Sequence, residues 1–257
     1  MRKAPHTTKI ALVAASLAFL VASCGSSSGS DASSDTTAKK TTTTAAEKST
    51  TTAANDDRPT TADLEAILPA ASDLGAGWTV DTSTDDSSSA QDKAMDEQCP
   101  ALKDLGTTND VADKNKAKRS FTNAAGEQVA VSLSNDADKV DQAELATKIE
   151  AVNSCGPITT TSDGVKTTIQ LQAKANDTYG DFGVQMQANV TLESEQLPQP
   201  VELNLYGLMF RSGTVGVSIT GFDGLDQTTL KVTPVDTDAL VAQAEAMQSA
   251  VKNLGGG

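Results

Sequence analysis

Strict alternation of apolar and polar residues marks the second half of the chain. The apolar members of the longest alternating run are Phe182, Val184, Met186, Ala188, Val190 and Leu192. This run predicts a strand with one dry face and one face turned to water or to a cavity. Residues 165–173 alternate in the same way. Residues 201–210 and 214–220 flank Arg211-Ser212-Gly213, which predicts a hairpin with these three residues at its turn.

The first half of the chain contains a second predicted hairpin. Its alternating apolar positions are Ala117 and Phe121 before the turn, with Arg119 between them, and Val129, Val131 and Leu133 after it. Residues 124–127, which include a glycine, provide the turn.

Four helices are predicted from apolar periodicity and from their stop signals. They cover, in chain order, residues 61–68, 91–105, 138–153 and 236–254. Pro69 ends the first helix, Pro100 is a point at which the second could split, and Cys155-Gly156-Pro157 ends the third. The apolar stripe of the last helix is Leu240, Ala244, Met247, Val251 and Leu254. We expect this stripe to pack on the dry face of the sheet.

These elements predict an α+β fold, in which a mostly antiparallel sheet of five to seven strands carries helices packed mainly on one face. A single globular domain is expected over residues 61–254. Residues 24–60 are almost wholly Ser, Thr, Ala, Asp and Lys. Such a segment cannot bury enough apolar surface to fold, so we expect a disordered linker there.

The chain begins with the pattern of a secretory leader. Residues 1–9 carry three basic side chains, and residues 10–22 are apolar except for Ser16. The apolar run is shorter than the roughly twenty residues that span a bilayer as a helix. Residues 1–23 are therefore predicted to be a cleaved signal peptide.

The end of this leader, Val21-Ala22-Ser23-Cys24, resembles the lipobox of bacterial lipoproteins. The resemblance implies that Cys24 is lipidated, with acyl chains such as palmitate, and becomes the first residue of the mature chain. The protein would then be anchored to the cell membrane on its extracytoplasmic side. The alternative is an ordinary secretory signal whose last residue happens to be cysteine.

Cleavage changes the chemistry of the mature chain, because His6 is the only histidine. Ser-His-Asp and Cys-His nucleophile systems need an imidazole, and the common zinc sites use His or several Cys. Loss of three basic residues also moves the formal net charge from −14 to −17. Such a charge disfavours nucleic acid. We therefore predict a non-enzymatic protein with no metal, no cofactor and no nucleic-acid partner.

Cys99 and Cys155 remain as an even pair once Cys24 is lipidated, and outside the cytoplasm they are predicted to form a disulfide. This bond would join the second helix to the end of the third. The entropy model gives such a loop about 4 kcal/mol of stabilisation. The alternative is two free, buried thiols.

A few side chains are candidates for a ligand site, each with a plainer interpretation. Trp78, the only tryptophan, is either a ligand platform or a core anchor. Tyr206 and Arg211 would line a cleft near the second hairpin, unless Arg211 is a solvated turn residue.

Two acidic clusters are candidates for calcium sites: Asp81, Asp85 and Asp86, and then Asn135, Asp136, Asp138 and Asp141. Both lack the ligand spacing and the glycine of an EF-hand loop. A helix cap explains the second cluster better. No two carboxylates stand out as a pair for glycoside cleavage.

The order of elements resembles the extracellular sensor domains of actinobacterial receptor kinases of the PknH type and the secreted lipoproteins built like them. The residues that carry the resemblance are Ile67-Leu68-Pro69, Asp73-Leu74, Gly77-Trp78, Cys99-Pro100-Ala101-Leu102 and a helix that ends at Cys155. It implies a sheet flanked by helices, a cleft for an unidentified ligand, and a bridge between the two matched cysteines. This chain lacks the second disulfide usual in the kinase domains.

Three functions remain open from the sequence. The first is a membrane-tethered sensor or accessory lipoprotein that binds a small molecule or an envelope component. The second is a carrier of lipid or glycolipid with an apolar cavity, since alternating apolar positions can line a cavity as well as a core. The third is a docking protein for a membrane partner.

Overall fold

The computed structural model describes residues 58–82, 94–95, 97–102, 116–135, 141–162, 164–226 and 228–254. The predicted signal peptide (1–23), the lipidation site Cys24 and the linker (24–60), apart from residues 58–60, lie outside the described residues. Asp85, Asp86, Asp136 and Asp138 lie outside them as well. Among the helices within the described ranges, none has the length and apolar character needed to cross a bilayer.

Eight strands form one antiparallel sheet in the order β1-β2-β3-β8-β7-β6-β5-β4. The strands are β1 (Trp78–Asp81), β2 (Lys116–Asn123), β3 (Gln128–Ser134), β4 (Ile158–Ser162), β5 (Val165–Ala175), β6 (Phe182–Ser194), β7 (Val201–Ser212) and β8 (Val215–Phe222). Two further strands, β9 (Gly224–Asp226) and β10 (Lys231–Thr233), form a separate hairpin. The antiparallel α+β fold is confirmed.

The predicted count of five to seven strands was wrong. The strands that the sequence pattern missed in the main sheet are β1 and β4, with the sequences WTVD and ITTTS. Four or five residues with so few apolar members give no readable alternation. Both are edge strands, so one neighbour is enough to hold each of them in the sheet.

Three helices of at least seven residues accompany the sheet within the described ranges: α1 (Thr61–Ile67), α2 (Gln142–Asn153) and α3 (Thr237–Leu254). A short 3₁₀ helix, Ala71–Leu74, follows α1. The predicted second helix is helical at residues 94–95, 97–98 and 101–102, and Cys99-Pro100 interrupts it, as expected for a proline.

The helix starts follow capping chemistry. Thr60 caps α1 in a reciprocal arrangement, in which its hydroxyl accepts from the Asp63 N–H and the Asp63 carboxylate accepts from the Thr60 N–H. Asp141 caps α2 by accepting from the N–H of Ala143, and Asp236 accepts from the N–H groups at the start of α3.

The sheet buries opposite faces in its two halves. We call them the α3 face and the α2 face, after the helix that packs on each. On the α3 face, α1 and α3 cover the half formed by β2, β3 and β8, where the buried side chains include Phe121, Val129, Val131, Leu133, Val217 and Ile219. On the α2 face, α2 and the segment that carries Cys99 cover β4, β5 and β6. The buried side chains of these three strands include Ile158, Ile169, Ala173, Val184, Val190 and Leu192.

Two expectations about helix packing are corrected by this arrangement. Helices lie on both faces rather than mainly on one. The apolar stripe of α3 is buried as predicted at Leu240, Ala244, Met247 and Val251, but it packs on the face opposite to the apolar side chains of β6. The alternating pattern of β6 correctly predicts which side of that strand is buried. It does not reveal that β2, β3 and β8 bury the opposite face of the same sheet.

Strand β7 is where the buried face changes. Its first half buries Val201, Leu203 and Leu205 on the α2 face, whereas its second half buries Leu208 and Phe210 on the α3 face. The first set has odd residue numbers and the second has even ones, so their side chains point to opposite sides of one continuous strand. The change falls at Tyr206-Gly207, and β7 thereby belongs to both cores.

The residue that follows β8, Asp223, has a buried carboxylate. Asp223 is 4% exposed and accepts hydrogen bonds from the backbone N–H and the side-chain amide of Asn204 (2.8 and 2.9 Å) and from the N–H of Val235 (3.0 Å). These contacts tie β7 to the segment that leads into α3. Three donors compensate a charge that would be expensive to bury alone.

The predicted disulfide between Cys99 and Cys155 is present, with a Cα–Cα distance of 5.6 Å. It joins the second helical segment to the end of α2, as expected. Beside it, the side-chain amide of Gln98 donates to the carbonyl of Thr159 and accepts from its N–H, both at 3.0 Å. The Gln98 side chain therefore satisfies both backbone hydrogen-bonding groups of Thr159 in the edge strand β4.

Candidate functional site

The part of the α2 face formed by β2, β3 and β8 carries small hydroxyl side chains. We call it the serine–threonine patch: Ser120, Thr122, Ser132, Ser134, Ser218 and Thr220. Cross-strand pairs place these residues in adjacent rows, because directly opposed residues in an antiparallel pair share a face. Helix α2 packs on β5, on the other half of the face. The patch therefore begins where the apolar part of the α2 face ends.

The patch differs from the polar surface on the opposite side of the sheet. On β5 and β6 the α3 face carries mainly long side chains, with Thr168 and Thr191 among them; the long ones are Lys166, Gln170, Gln172, Gln185, Gln187 and Glu193. Long charged and amide side chains are typical of a solvated surface. The hydroxyl side chains of the patch are half-buried or buried, with Thr220 at 6% exposure. A half-buried sheet face made of small hydroxyl groups is suited to binding a polar molecule.

One row at the end of the patch contains its most unusual side chain. Lys116 pairs with Ser134, Ser134 with Gly216, Gly216 with Arg211, and Arg211 with Phe182. All of these positions lie on the α2 face. The interpretation of Arg211 as a solvated turn residue was wrong, because β7 extends through Ser212 and Arg211 is only 8% exposed.

The backbone at Arg211 is held by the β5–β6 loop. The Asp181 N–H donates to the carbonyl of Arg211 (2.6 Å), and the Asp181 carboxylate accepts from the N–H of Gly213 (3.1 Å). Gly180, with φ of +65°, lies so close that a Cβ at this position would come within 2.0 Å of the Arg211 carbonyl oxygen. This loop therefore fixes where the Arg211 side chain leaves the strand.

The guanidinium of Arg211 has no hydrogen-bond acceptor and no carboxylate partner among the residues that the structure describes. Its Nε–H is buried and unpaired. The contact that the side chain makes is with the Phe182 ring, at 6.0 Å from Cζ to the ring centroid. At that distance a cation–π contact is weak. Leaving one buried donor unpaired costs about 1–3 kcal/mol, and more for a charged group.

Arg119 shows how the same residue type is accommodated when it is structural. It lies half-buried on the α3 face of β2, and its Nη1 donates to the carbonyls of Leu68 (3.0 Å) and Pro69 (2.7 Å). Arg119 thus anchors the end of α1. Arg211 has no such acceptors in the described part of the chain.

Ser134 is the second unpaired polar group in the row. Its side chain is 0% exposed, and Oγ has no hydrogen-bond partner. Gly216, which contributes no side chain, is the only residue between Ser134 and Arg211 in the row. Two strand spacings put their Cα atoms roughly 10 Å apart. Two unpaired groups therefore flank one glycine on the same face.

The structure separates the other predicted site residues. Trp78 lies on β1 and packs against the apolar cluster under α3, in agreement with its interpretation as a core anchor. Tyr206 packs against the same cluster on the α3 face, whereas Arg211 lies on the α2 face. The predicted cleft between Tyr206 and Arg211 was therefore wrong, because their even and odd positions on one strand point to opposite sides.

The acidic residues that can be placed are held by structural contacts. Asp141 is the N-cap of α2, which confirms the helix-cap interpretation. Asn135 donates its side-chain amide to the carbonyl of Pro59, and Asp81 lies on β1. Within the described ranges, no group of three or more His, Cys, Asp or Glu side chains could hold a metal ion.

The chain matches no family model, no curated protein and no solved structure in the comparisons with known proteins. The resemblance to PknH-type sensor domains therefore stays a prediction.

Sequence reasoning missed the hydroxyl residues of the patch. The available signal was the identity of the polar residues that alternate with the buried ones. On β3 these are Ser132 and Ser134, and on β8 they are Ser218 and Thr220. Most strand surfaces carry charged or long side chains at such positions. Short hydroxyl side chains on neighbouring strands would have marked this face.

Proposed function

We propose that the protein is a lipid-anchored, extracytoplasmic lipoprotein that binds a small molecule or envelope component, without catalysing a reaction, as a sensor or accessory. The serine–threonine patch is the observation that carries the binding part of this proposal. It is a half-buried polar face beside an apolar one, a combination typical of ligand sites, where a few polar groups fix the orientation of a ligand.

The lipobox sequence supports the location. An acylated Cys24 followed by a linker of residues 25–60 would hold the domain on the outer side of the membrane. A flexible segment of that length spans about 30–35 Å on average. This reach is enough for the patch to meet components of the envelope near the membrane surface.

The absence of histidine from the predicted mature chain supports a binding role over catalysis by an imidazole. The carrier and docking functions are the alternatives. The patch favours a polar ligand over a lipid tail, because hydroxyl groups on its floor would lose hydrogen bonds to water against an alkyl chain.

The anchor is tested in the host by metabolic labelling with an alkyne analogue of palmitate. Wild-type protein is expected to be labelled and recovered in the membrane fraction, and Cys24→Ala to be unlabelled. Recovery of unlabelled wild-type protein that still begins at Met1 would refute the location.

Binding is tested by native mass spectrometry of the mature protein, extracted in mild detergent, after incubation with an envelope extract. A saturable adduct is expected for the wild type. Ser218→Phe would fill the patch and remove the adduct. Thr191→Phe is the matched control, because Thr191 is a half-buried strand position on the opposite face of the sheet. An adduct that survives Ser218→Phe, or no adduct at all, argues against the patch as the site.

A further inference from the structure

We infer that the protein binds a neutral polysaccharide on the α3 face of β5, β6 and β7, at a surface that the proposed function does not use. We call it the amide–tyrosine surface: Gln170, Gln172, Gln187, Asn189, Asn204 and Tyr206. It lies on the side of the sheet opposite to the serine–threonine patch, so it can be tested independently of that patch.

Two adjacent cross-strand rows make up this surface. Directly opposed residues of antiparallel strands share a face, so the six side chains point to the same side of the sheet. The rows are Gln172–Gln187–Tyr206 and Gln170–Asn189–Asn204. All six side chains are uncharged. A solvated surface gains solubility from charged side chains, so two complete rows without one indicate a role other than solubility.

The surface is open to solvent at its amides and half-buried at its one ring. Gln170, Gln172 and Asn189 are exposed. Tyr206 packs against the apolar cluster under α3 and still exposes part of its side chain. An aromatic ring with a polar tip suits a ligand that is apolar on one side and polar on the other. Sugar rings have this character, because they carry C–H groups on their faces and hydroxyl groups at their edges.

A buried carboxylate orients two of the amides. Asp223 accepts from the Nδ2 of Asn204 (2.9 Å), so the Oδ1 of Asn204 is left to accept from the Nδ2 of Asn189 (2.8 Å). The Oδ1 of Asn189, which is an exposed residue, then remains available as an acceptor. An amide that is already held in place loses less conformational entropy on binding than one that rotates freely. Asn189 therefore presents a pre-oriented acceptor on the surface.

The charges around the surface agree with an uncharged ligand. The chain carries a formal charge of −14, which repels anionic polymers. On the same face, Lys174 and Glu202 lie in the two flanking rows, one of each sign. Farther along, Lys166 and Glu193 form an ion pair of 2.7 Å. These four charges sum to zero, so the surface has no net charge with which to attract an ionic ligand.

The size and chemistry of the surface indicate a chain of sugars. Each row spans about 10 Å across three strands, and the rows lie about 7 Å apart along them, which is more than one sugar ring covers. Amide groups donate and accept hydrogen bonds, as do the hydroxyl groups of sugars. A peptide that binds a sheet in an extended form adds to its edge rather than to its face. A neutral polysaccharide therefore fits better than a polypeptide.

The test is affinity electrophoresis of the mature protein, extracted in mild detergent, in native gels that contain dextran, mannan, galactan or arabinan. At least one of these four neutral polysaccharides is expected to retard the wild type, and the dependence on its concentration gives the Kd. Gels that contain polygalacturonate, an anionic polysaccharide, or gelatin, a polypeptide, are expected to give no retardation.

The variants remove amides or the ring. Gln172→Ala combined with Gln187→Ala is expected to weaken binding at least tenfold. The matched control is Gln196→Ala combined with Gln199→Ala, two exposed glutamines of the β6–β7 loop, which should keep the wild-type affinity. Tyr206→Leu is expected to weaken binding at least fivefold, whereas Tyr206→Phe, which keeps the ring, weakens it less than twofold. Thermal melting of each variant checks that it is folded.

Three results would overturn the inference. The first is that none of the four neutral polysaccharides retards the wild type. The second is equal retardation of the wild type and of the folded Gln172→Ala, Gln187→Ala variant. The third is retardation by gelatin or polygalacturonate as strong as that by the neutral polysaccharides.

Ser218→Phe separates this inference from the proposed function, because Ser218 lies on the opposite face. It is expected to remove the envelope adduct and to keep the retardation by polysaccharide. If Ser218→Phe also abolishes retardation, the polysaccharide lies on the serine–threonine patch, so the inference fails and the proposed function stands. If retardation depends on Gln172 and Gln187 while no adduct depends on Ser218, the inference stands and the patch is not the proposed site.

Discussion

The two halves of the main sheet are built from the same kind of strand but bury opposite faces. In the half of β2, β3 and β8, helices α1 and α3 cover the α3 face, and the other face presents small hydroxyl side chains. In the half of β4, β5 and β6, helix α2 and the disulfide-linked segment cover the α2 face, and the other face presents long solvated side chains. A single sheet thus provides two cores on opposite sides.

The difference shows where a site can form. Among the described residues, the helices of each half cover only its apolar face. Both polar faces border the apolar core of the other half, but the serine–threonine patch carries short hydroxyl side chains that are half-buried or buried. Arg211 lies on the α2 face between the apolar side chains of β6 and the hydroxyl side chains of the patch. A ligand there can contact polar and apolar groups together, which is the usual composition of a binding site.

A large effect is expected from removing the disulfide bond that holds the β4–β6 half together. Cys99→Ser with Cys155→Ser opens a loop of sequence separation 56. The entropy model then predicts a loss of about 4 kcal/mol in the free energy of unfolding. Urea unfolding of the oxidised wild type and the double variant measures it. A loss below about 1 kcal/mol would show that packing alone holds this half.

A matched pair of core substitutions compares the halves directly. Ile219→Ala on β8 and Ile169→Ala on β5 remove the same side chain from positions that are 0% and 1% exposed. Each is expected to cost about 2–5 kcal/mol. Because the two cores lie on opposite faces, their costs should add within about 0.5 kcal/mol in the double variant. Strong non-additivity in urea unfolding would show that the cores are coupled through β7.

Asp223→Asn tests the junction between β7 and α3. The amide keeps the size of the carboxylate but replaces one acceptor oxygen by a donor that faces the N–H groups of Asn204 and Val235. A loss of about 2 kcal/mol is expected, since hydrogen bonds to charged groups are worth about 1.5–3 kcal/mol. Chemical denaturation measures it, with the exposed Asp177→Asn as control. Equal stability of the two variants would contradict a structural role for Asp223.

The smallest expected effect is the acid dependence of the α1 cap. Hydrogen bonds from the Thr60 hydroxyl and the Thr60 N–H lower the pKa of Asp63 below its usual value. The carboxylate therefore contributes stability above the pKa of the unfolded chain, about 3.9. That contribution is lost as the pH falls through the lower folded pKa. Asp63→Asn should be less stable than wild type at pH 7, and the gap should close in acid. A constant gap across pH 2–7 would contradict the cap.

Much of the fold could be predicted because its signals are local. The alternation of β2, β3, β5, β6, β7 and β8, the stripe of α3 and the cysteine pair were all readable. The edge strands β1 and β4 were not, because four or five residues carry too little pattern. The number of strands and the placement of helices on both faces depend on contacts between residues far apart in sequence.

The candidate site was predictable only in part. The sequence marks Arg211 as a candidate, but its neighbours Ser212 and Gly213 favour a turn at this position. Its backbone is held by the β5–β6 loop at Gly180 and Asp181, some thirty residues earlier in the chain. Ser134 gave no signal of its own, because a serine on a strand is unremarkable until its row across the sheet is known.

By itself, the sequence determined the secondary structure of the long elements and the pairing chemistry of the cysteines, because periodicity, caps and composition act over a few residues. Only the tertiary structure decided which side of each strand is covered. Neighbouring strands in register bring Lys116, Ser134, Gly216 and Arg211 into one row, although nearly one hundred residues separate the first from the last. A binding surface on a sheet is a property of that register.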